Sequence, residues 1–120
     1  MVVLEDDPGS AEALAALLGD WGYDCVQGDR LEAVAGRLHG RSTDVRAIIS
    51  DYHLQGGANG VDAIVGLGRL GVAAPALLLS GTLGGRARRV AGAAGHQHME
   101  KPVAPRRLKA WLQQVIGPDR

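Results

Sequence analysis

At 120 residues the chain suits one domain, which buries roughly two-thirds of the surface its unfolded form exposes. Hydrophobic residues make up 46% but aromatics only 3%, with Phe absent, so the core must come from Leu, Val, Ile and Ala. Thirteen Lys and Arg balance thirteen Asp and Glu, so no global field draws in nucleic acid or an anionic membrane.

Cys25 stands alone, which excludes an internal disulfide and every multi-cysteine metal site. No apolar run approaches the ~20 residues of a membrane helix, and no secretory signal precedes the first strand. A cytoplasmic protein with no membrane attachment is therefore expected. The first strand begins almost at Met1, as expected of a piece trimmed from a longer chain.

Met1 to Leu4 reads as the first strand. Asp7-Pro8 supplies an N-cap and a first helical residue, and Leu14, Leu17, Leu18 and Trp21 follow the spacing of one buried helical face. Cys25 to Gln27 is a short second strand. Asp29 caps a helix with Leu31, Val34, Ala35 and Leu38 inward, ended by Gly40, and Ala47 to Ile49 is the third strand. After a loop from Gln55 to Gly60, Val61, Ile64 and Val65 begin a third helix that stops near Gly71.

Ala76 to Leu79 reads as strand four. Arg86 to Ala94 has a weak helical face of Ala87, Val90, Ala91 and Ala94, interrupted by Gly92. His96 to Glu100 is strand five. Pro105 opens a last helix with Leu108, Trp111, Leu112 and Val115 inward, stopped by Gly117-Pro118.

These segments make five successive βα units. Runs one, three and four are apolar throughout instead of alternating, as strands buried on both faces are, which argues for a parallel sheet covered by helices on each side. Ligands of such sheets bind at the carboxyl ends of the strands. There the sequence places Glu5-Asp6-Asp7, Asp51, Ser80-Gly81 and Lys101-Pro102.

Carboxylates, a hydroxyl and an ammonium so placed are the parts of a magnesium-assisted phosphoryl acceptor. Asp51 is the candidate nucleophile, forming an aspartyl phosphate. Mg2+ prefers octahedral oxygen ligands, one or two of them protein carboxylates. Asp6 and Asp51 would bind it directly, Glu5 directly or through water, and the backbone carbonyl of His53 would add a further ligand. Lys101 would meet one phosphoryl oxygen with a point charge and the Ser80 hydroxyl would bond another.

Taken singly, each residue has a plainer reading: acidic residues after a strand cap helices, an Asp before a loop forms a turn, and Ser-Gly is a common turn pair. Their order, one at each successive strand end, is what carries the argument. His96 and His98 would share a strand face but have no third metal ligand in view. Trp21 and Trp111 lie on inward helical faces and read as core, and His39 as a helix-surface residue.

Over essentially its whole length the chain resembles the receiver domain of two-component response regulators. The motifs are Val3-Leu4-Glu5-Asp6-Asp7-Pro8, Ile48-Ile49-Ser50-Asp51-Tyr52-His53-Leu54, Leu78-Leu79-Ser80-Gly81 and Glu100-Lys101-Pro102-Val103. The resemblance implies one domain over residues 1–120, a flavodoxin-like (βα)5 doubly wound α/β fold whose five-stranded parallel sheet runs 2-1-3-4-5.

It also implies that Asp51 accepts phosphate from a histidine kinase or phosphotransfer protein. Glu5 and Asp6 would be the metal-binding acidic pair, Ser80 the switch hydroxyl and Lys101 the family's lysine. The run Asp51 to Gly60 looks most like receivers fused to hybrid sensor kinases, so a fused kinase or output domain is an expected partner. The loop after Asp51 lacks the Met-Pro pair common in transcriptional regulators. Where the family has an aromatic switch in strand five, this chain has His98, which can change charge near neutral pH.

The expected output surface is helix four, strand five and helix five, made locally basic by Arg86, Arg88, Arg89, Arg106, Arg107 and Lys109. The domain would be a signalling acceptor, not an enzyme, and a monomer or weak phosphorylation-dependent dimer with no direct nucleic-acid contact. His53 and Thr82 match positions that influence phosphoryl lifetime in this family. A haloacid-dehalogenase phosphatase would want Asp where His53 stands, and leaves no room for its cap. A flavodoxin would want a phosphate-binding loop where Glu5-Asp6-Asp7 stands. A pseudo-receiver that only docks other proteins is the remaining alternative.

Overall fold

Continuous apolar runs beginning at Val2, Ile48 and Ala76 start three of the five strands of this computed structural model, which describes residues 1–38, 40–54, 59–81 and 85–117. The strands are Val2–Leu4 (β1), Val26–Gly28 (β2), Ile48–Asp51 (β3), Ala76–Ser80 (β4) and Gln97–Glu100 (β5). Between and after them run helices Pro8–Asp20 (α1), Leu31–Leu38 (α2), Gly60–Arg69 (α3), Gly85–Ala93 (α4) and Pro105–Ile116 (α5), with a 3-10 turn at Ser42–Asp44. All pairings are parallel and the sheet order is β2-β1-β3-β4-β5, the flavodoxin-like arrangement expected above.

Every residue of β1, β3 and β4 is buried, because side chains alternate between two helix-covered faces. On one face Val2, Leu4 and Ile48 pack with Val34 and Leu38 of α2 and Ala63 and Leu67 of α3. On the other, Val3, Ile49, Leu77, Leu79 and Met99 pack with Leu18 of α1 and Leu108, Trp111 and Leu112 of α5. Full burial of each Leu, Ile or Val contributes about 1.5–3 kcal/mol, so the aliphatic core suffices without Phe. Helix α4 lies along β4 and β5 through Ala87 and Ala91.

Side-chain caps open two of the helices. Asp7 caps α1, its Oδ2 accepting the Ser10 N–H at 2.9 Å, and Pro8 takes the first helical position. Asn59 caps α3 the same way, accepting the Asp62 N–H at 2.9 Å.

Some expectations are corrected. The second strand lies one residue later than Cys25 to Gln27, and the third and fourth run on to Asp51 and Ser80. Val65 is 49% exposed, since Ala63 and Leu67 set the phase of α3 against the sheet. Ala94 is exposed because α4 ends at Ala93. His96 stands just before β5, its N–H bonded to the Ala91 carbonyl, and so is not in the strand with His98. Readings placed on His39, Gln55 to Ala58, Thr82 and Pro118 fall outside the described residues.

Candidate functional site

Sheet register brings the polar residues to one level. Leu4 pairs with Ser50, Asp51 with Leu79, and Ser80 with Glu100. Glu5, Asp51, Ser80 and Lys101 are therefore the last strand residues, or the next ones along, of four adjacent strands. A parallel sheet with one common direction cannot avoid gathering them.

At the centre lies Lys101. Its Nζ donates to Glu5 Oε2 at 2.8 Å and stands 3.0 Å from Asp51 Oδ2. Glu5 and Asp51 are buried residues, 5% and 8% exposed, and an isolated carboxylate at either position would cost several kcal/mol. Glu5 Oε1 also accepts the Asp7 N–H at 3.2 Å, which fixes the carboxylate plane. The lysine backbone is anchored too: its N–H bonds the Ser80 carbonyl, and the Lys101–Pro102 peptide is cis.

One carboxylate oxygen each from Glu5, Asp6 and Asp51 lies within 4.8 Å of the others. Among the described residues these are the one group of three or more His, Cys, Asp or Glu side chains with that geometry. Three ionised carboxylates against one ammonium leave a net charge of −2. Hard oxygen donors of that charge, partly open to solvent at Asp6, fit a divalent cation such as magnesium.

The same crowding shows in proton affinity. Burial, and after it the neighbouring Glu5, push the Asp51 carboxyl from 3.8 up to about 6 even with Lys101 opposing. Burial disfavours the charge on Lys101, yet its bonds to Glu5 and Asp51 hold the ammonium above the ordinary lysine range.

Ser80 is buried at the end of β4, and its Oγ lies 2.6 Å from His98 Nε2 across the β4–β5 pair. Burial and then Arg88 lower the proton affinity of His98, with Glu100 partly offsetting them, which favours the neutral ring. His53 is exposed two residues beyond Asp51 and forms an isolated antiparallel bridge with Asn59. That bridge ties the two ends of the loop beside the site together.

Two features escaped the sequence reading. Gly60, the first residue of α3, sits where an added Cβ would lie 2.6 Å from Leu78 Cδ2 and 2.8 Å from Ser50 Oγ, and against the Asp51 carbonyl. The Ser50 hydroxyl donates to that same carbonyl at 2.9 Å. Both set the backbone of Asp51, and a glycine following Asn59 is the only sequence trace of it. The expected Ser80–Lys101 pairing on a ligand is compatible with the layout, but the unexpected partner of Ser80 is His98.

An apolar groove of about 500 Å3 adjoins the acidic residues, lined by Ala13, Leu14 and Leu17 of α1 and by Pro102 and Val103.

No family model matches the chain, and no curated protein matches it in sequence. Solved structures do match in fold. The receiver domain of NtrX from Brucella abortus superposes with a TM-score of 0.82 at 20% identity over 96% of both chains. A putative response regulator from Chloroflexus aurantiacus gives 0.79 at 22% identity, covering 98% of this chain and 96% of that one. The receiver domain from hybrid histidine kinase CckA gives 0.76 at 18% identity over 96% of both. At such identities the likeness is one of fold: the chain folds as receiver domains do.

Proposed function

We propose that residues 1–120 form one phosphoacceptor receiver domain, in which Asp51 takes a phosphoryl group from a phosphohistidine of a histidine kinase or phosphotransfer protein. The observation that carries this reading is the Lys101 ammonium held between Asp51 and Glu5 at the strand ends. An Asp51 oxygen attacks phosphorus in line, the O–P bond forms as the donor N–P bond breaks, and the donor imidazole keeps the electron pair.

Asp51 supplies the nucleophile, and burial keeps water from competing for it. Lys101 pivots from the carboxylate to a phosphoryl oxygen, and Ser80 turns its hydroxyl to another. Magnesium, held by Asp6, Asp51, Glu5 and the His53 carbonyl, would supply charge neutralisation of the phosphoryl oxygens. Acceptance of one group followed by slow loss makes the domain a signalling acceptor and not a turnover enzyme. Its readout is the face of α4, β5 and α5, reached from Asp51 through Ser80 and His98. Receivers of hybrid histidine kinases are one class of parent chain, supported by the likeness of fold and by the loop after Asp51.

The test is incubation with acetyl phosphate and magnesium followed by intact mass measurement. One phosphate should add to wild type and none to Asp51→Asn. No adduct from acetyl phosphate or from a phosphohistidine donor would leave the docking-only reading in its place. Rapid hydrolysis of many phosphate esters would point to a phosphatase.

A further inference from the structure

The groove beside the acidic residues has a charged end and hydrocarbon walls. Its volume of about 500 Å3 falls in the range of roughly 300–1,000 Å3 that small-molecule sites occupy. Leu79 at the end of β4, Ala13, Leu14 and Leu17 of α1, and Pro102 and Val103 after β5 supply the apolar wall. The polar side chains among the lining residues are Glu5, Ser10 and Lys101. Ser10 is already engaged, its Oγ donating to Asp7 Oδ2 at 2.7 Å. Lys101 is shared: its Nζ stands 3.0 Å from Asp51 Oδ2, and the same side chain forms part of the groove wall.

That layout selects by chemistry. A ligand held here needs an anionic group for the Lys101 ammonium and an apolar body running away from it. A nucleotide does not match, because its base and ribose would set polar atoms unpaired against leucine and valine. Acetyl phosphate matches the charged end, but its single methyl group leaves most of the groove unfilled.

We propose that the groove seats the acyl chain of a small-molecule phosphodonor, so that acyl phosphates with longer apolar chains phosphorylate Asp51 in preference to acetyl phosphate. The proposal rests on the reading of Asp51 as a phosphoacceptor and names the class of donor that the site favours. An Asp51 oxygen attacks phosphorus, the new O–P bond forms as the bond from phosphorus to the acyl oxygen breaks, and the acid departs as its carboxylate with the electron pair. No proton moves. Because the chain takes no part in bond making, its burial tightens donor binding and leaves the saturated rate alone. Each methylene removed from water is worth about fourfold in affinity.

The experiment incubates the full chain and magnesium with acetyl, butyryl or hexanoyl phosphate over a range of donor concentrations. Initial rates of phosphate addition are read by intact mass. Hexanoyl phosphate is four methylenes longer than acetyl phosphate, so even half-covered it should react about tenfold faster or more well below saturation, with butyryl phosphate between. At saturation the three rates should agree within about twofold. Ala13→Trp, at an exposed position on the groove wall, should bring hexanoyl phosphate to within about twofold of acetyl phosphate. Ala16→Trp, exposed on the same helix and outside the lining, should keep the tenfold preference. Thermal melts verify that both variants fold.

Labelling by acetyl phosphate with no gain from the longer chains would overturn the proposal and leave the phosphoacceptor reading in place. So would labelling by a phosphotransfer domain bearing phosphohistidine but by no acyl phosphate. No labelling by any donor would overturn both. A preference that survives Ala13→Trp, or one lost equally in Ala16→Trp, would place the chain outside the groove. If Ala13→Trp slowed only transfer from the phosphotransfer domain, the groove would belong to a protein partner and the proposal would fall.

Discussion

Ser80 and His98 share one hydrogen bond, 2.6 Å from Oγ to Nε2, across two strands whose residues are 18 apart in sequence. A hydroxyl has one proton to give. With the ring neutral and its proton on Nδ1, Nε2 takes that proton, and a phosphoryl oxygen on Asp51 would compete for it. His98 thereby becomes a brake on Ser80, which a phenylalanine at this position, having no acceptor, would not be.

Replacing the acceptor should release the brake. A net hydrogen bond contributes about 0.5–1.5 kcal/mol, so His98→Phe should raise the phosphorylated fraction at limiting acetyl phosphate by roughly two- to tenfold. Lower pH should bring wild type toward the variant, since a protonated ring donates instead of accepting. Equal phosphorylation of the two proteins across the pH range would show that the Ser80 hydroxyl is free.

Asp51 ties stability to pH in the metal-free protein. Its carboxyl binds a proton more tightly in the fold than in the unfolded chain, about 6 against 3.8. Between those values the native state holds more protons, so this group's contribution to stability falls as pH rises. It is fully favourable below 3.8 and lost above about 6. Asp51→Asn should therefore be more stable than wild type at neutral pH by about 1–2 kcal/mol with chelator present, after allowance for partial solvation. Urea melts should show the gap closing toward pH 4. A gap that stays constant with pH would mean that Asp51 ionises normally.

A divalent cation should reverse that penalty. Binding to the folded state alone stabilises by about 2.7 kcal/mol at a hundredfold excess over Kd, and magnesium should raise the melting temperature until chelator restores it. Asp6→Asn removes one of the three convergent carboxylates and should abolish most of the rise, while Asp44→Asn, exposed on the 3-10 turn, should keep it. An unchanged response in Asp6→Asn would place the cation elsewhere.

How far the sequence could be read depended on the range of the interaction. Leu77 to Leu79 announced a doubly covered strand because burial of consecutive residues is a local property. Asp7-Pro8 announced α1 because its cap reaches only to Ser10. Asp51 and Lys101 could be placed at strand ends without coordinates, since parallel strands share one direction. The phase of α3 could not: Val65 fits a helical apolar stripe as well as Leu67 does, and only contact with the sheet chose Leu67. Nor could the Ser80–His98 bond, which exists through the register of β4 with β5. Gly60 was read as the end of a loop, because its crowding comes from β3 and β4.

That crowding yields the sharpest structural prediction. The carbonyl of Asp51, the Ser50 hydroxyl and the Leu78 methyl leave no space for a Cβ on Gly60, and two of those three groups are held within β3. Leu78 is fully buried and has little freedom to yield. Gly60→Ala must push the start of α3 away from the sheet, with a cost of about 1–3 kcal/mol as for other overpacked sites. Gly68→Ala is the control: the same helix and the same substitution, but exposed with nothing within 4 Å, so it should gain up to about 1 kcal/mol from helix propensity. Urea unfolding of the pair should move in opposite directions. Because Asp51 shares the disturbed carbonyl, Gly60→Ala should also lower the yield of phosphorylated protein at fixed acetyl phosphate. A Gly60→Ala protein as stable as Gly68→Ala would mean that α3 does not seat against β3 behind Asp51.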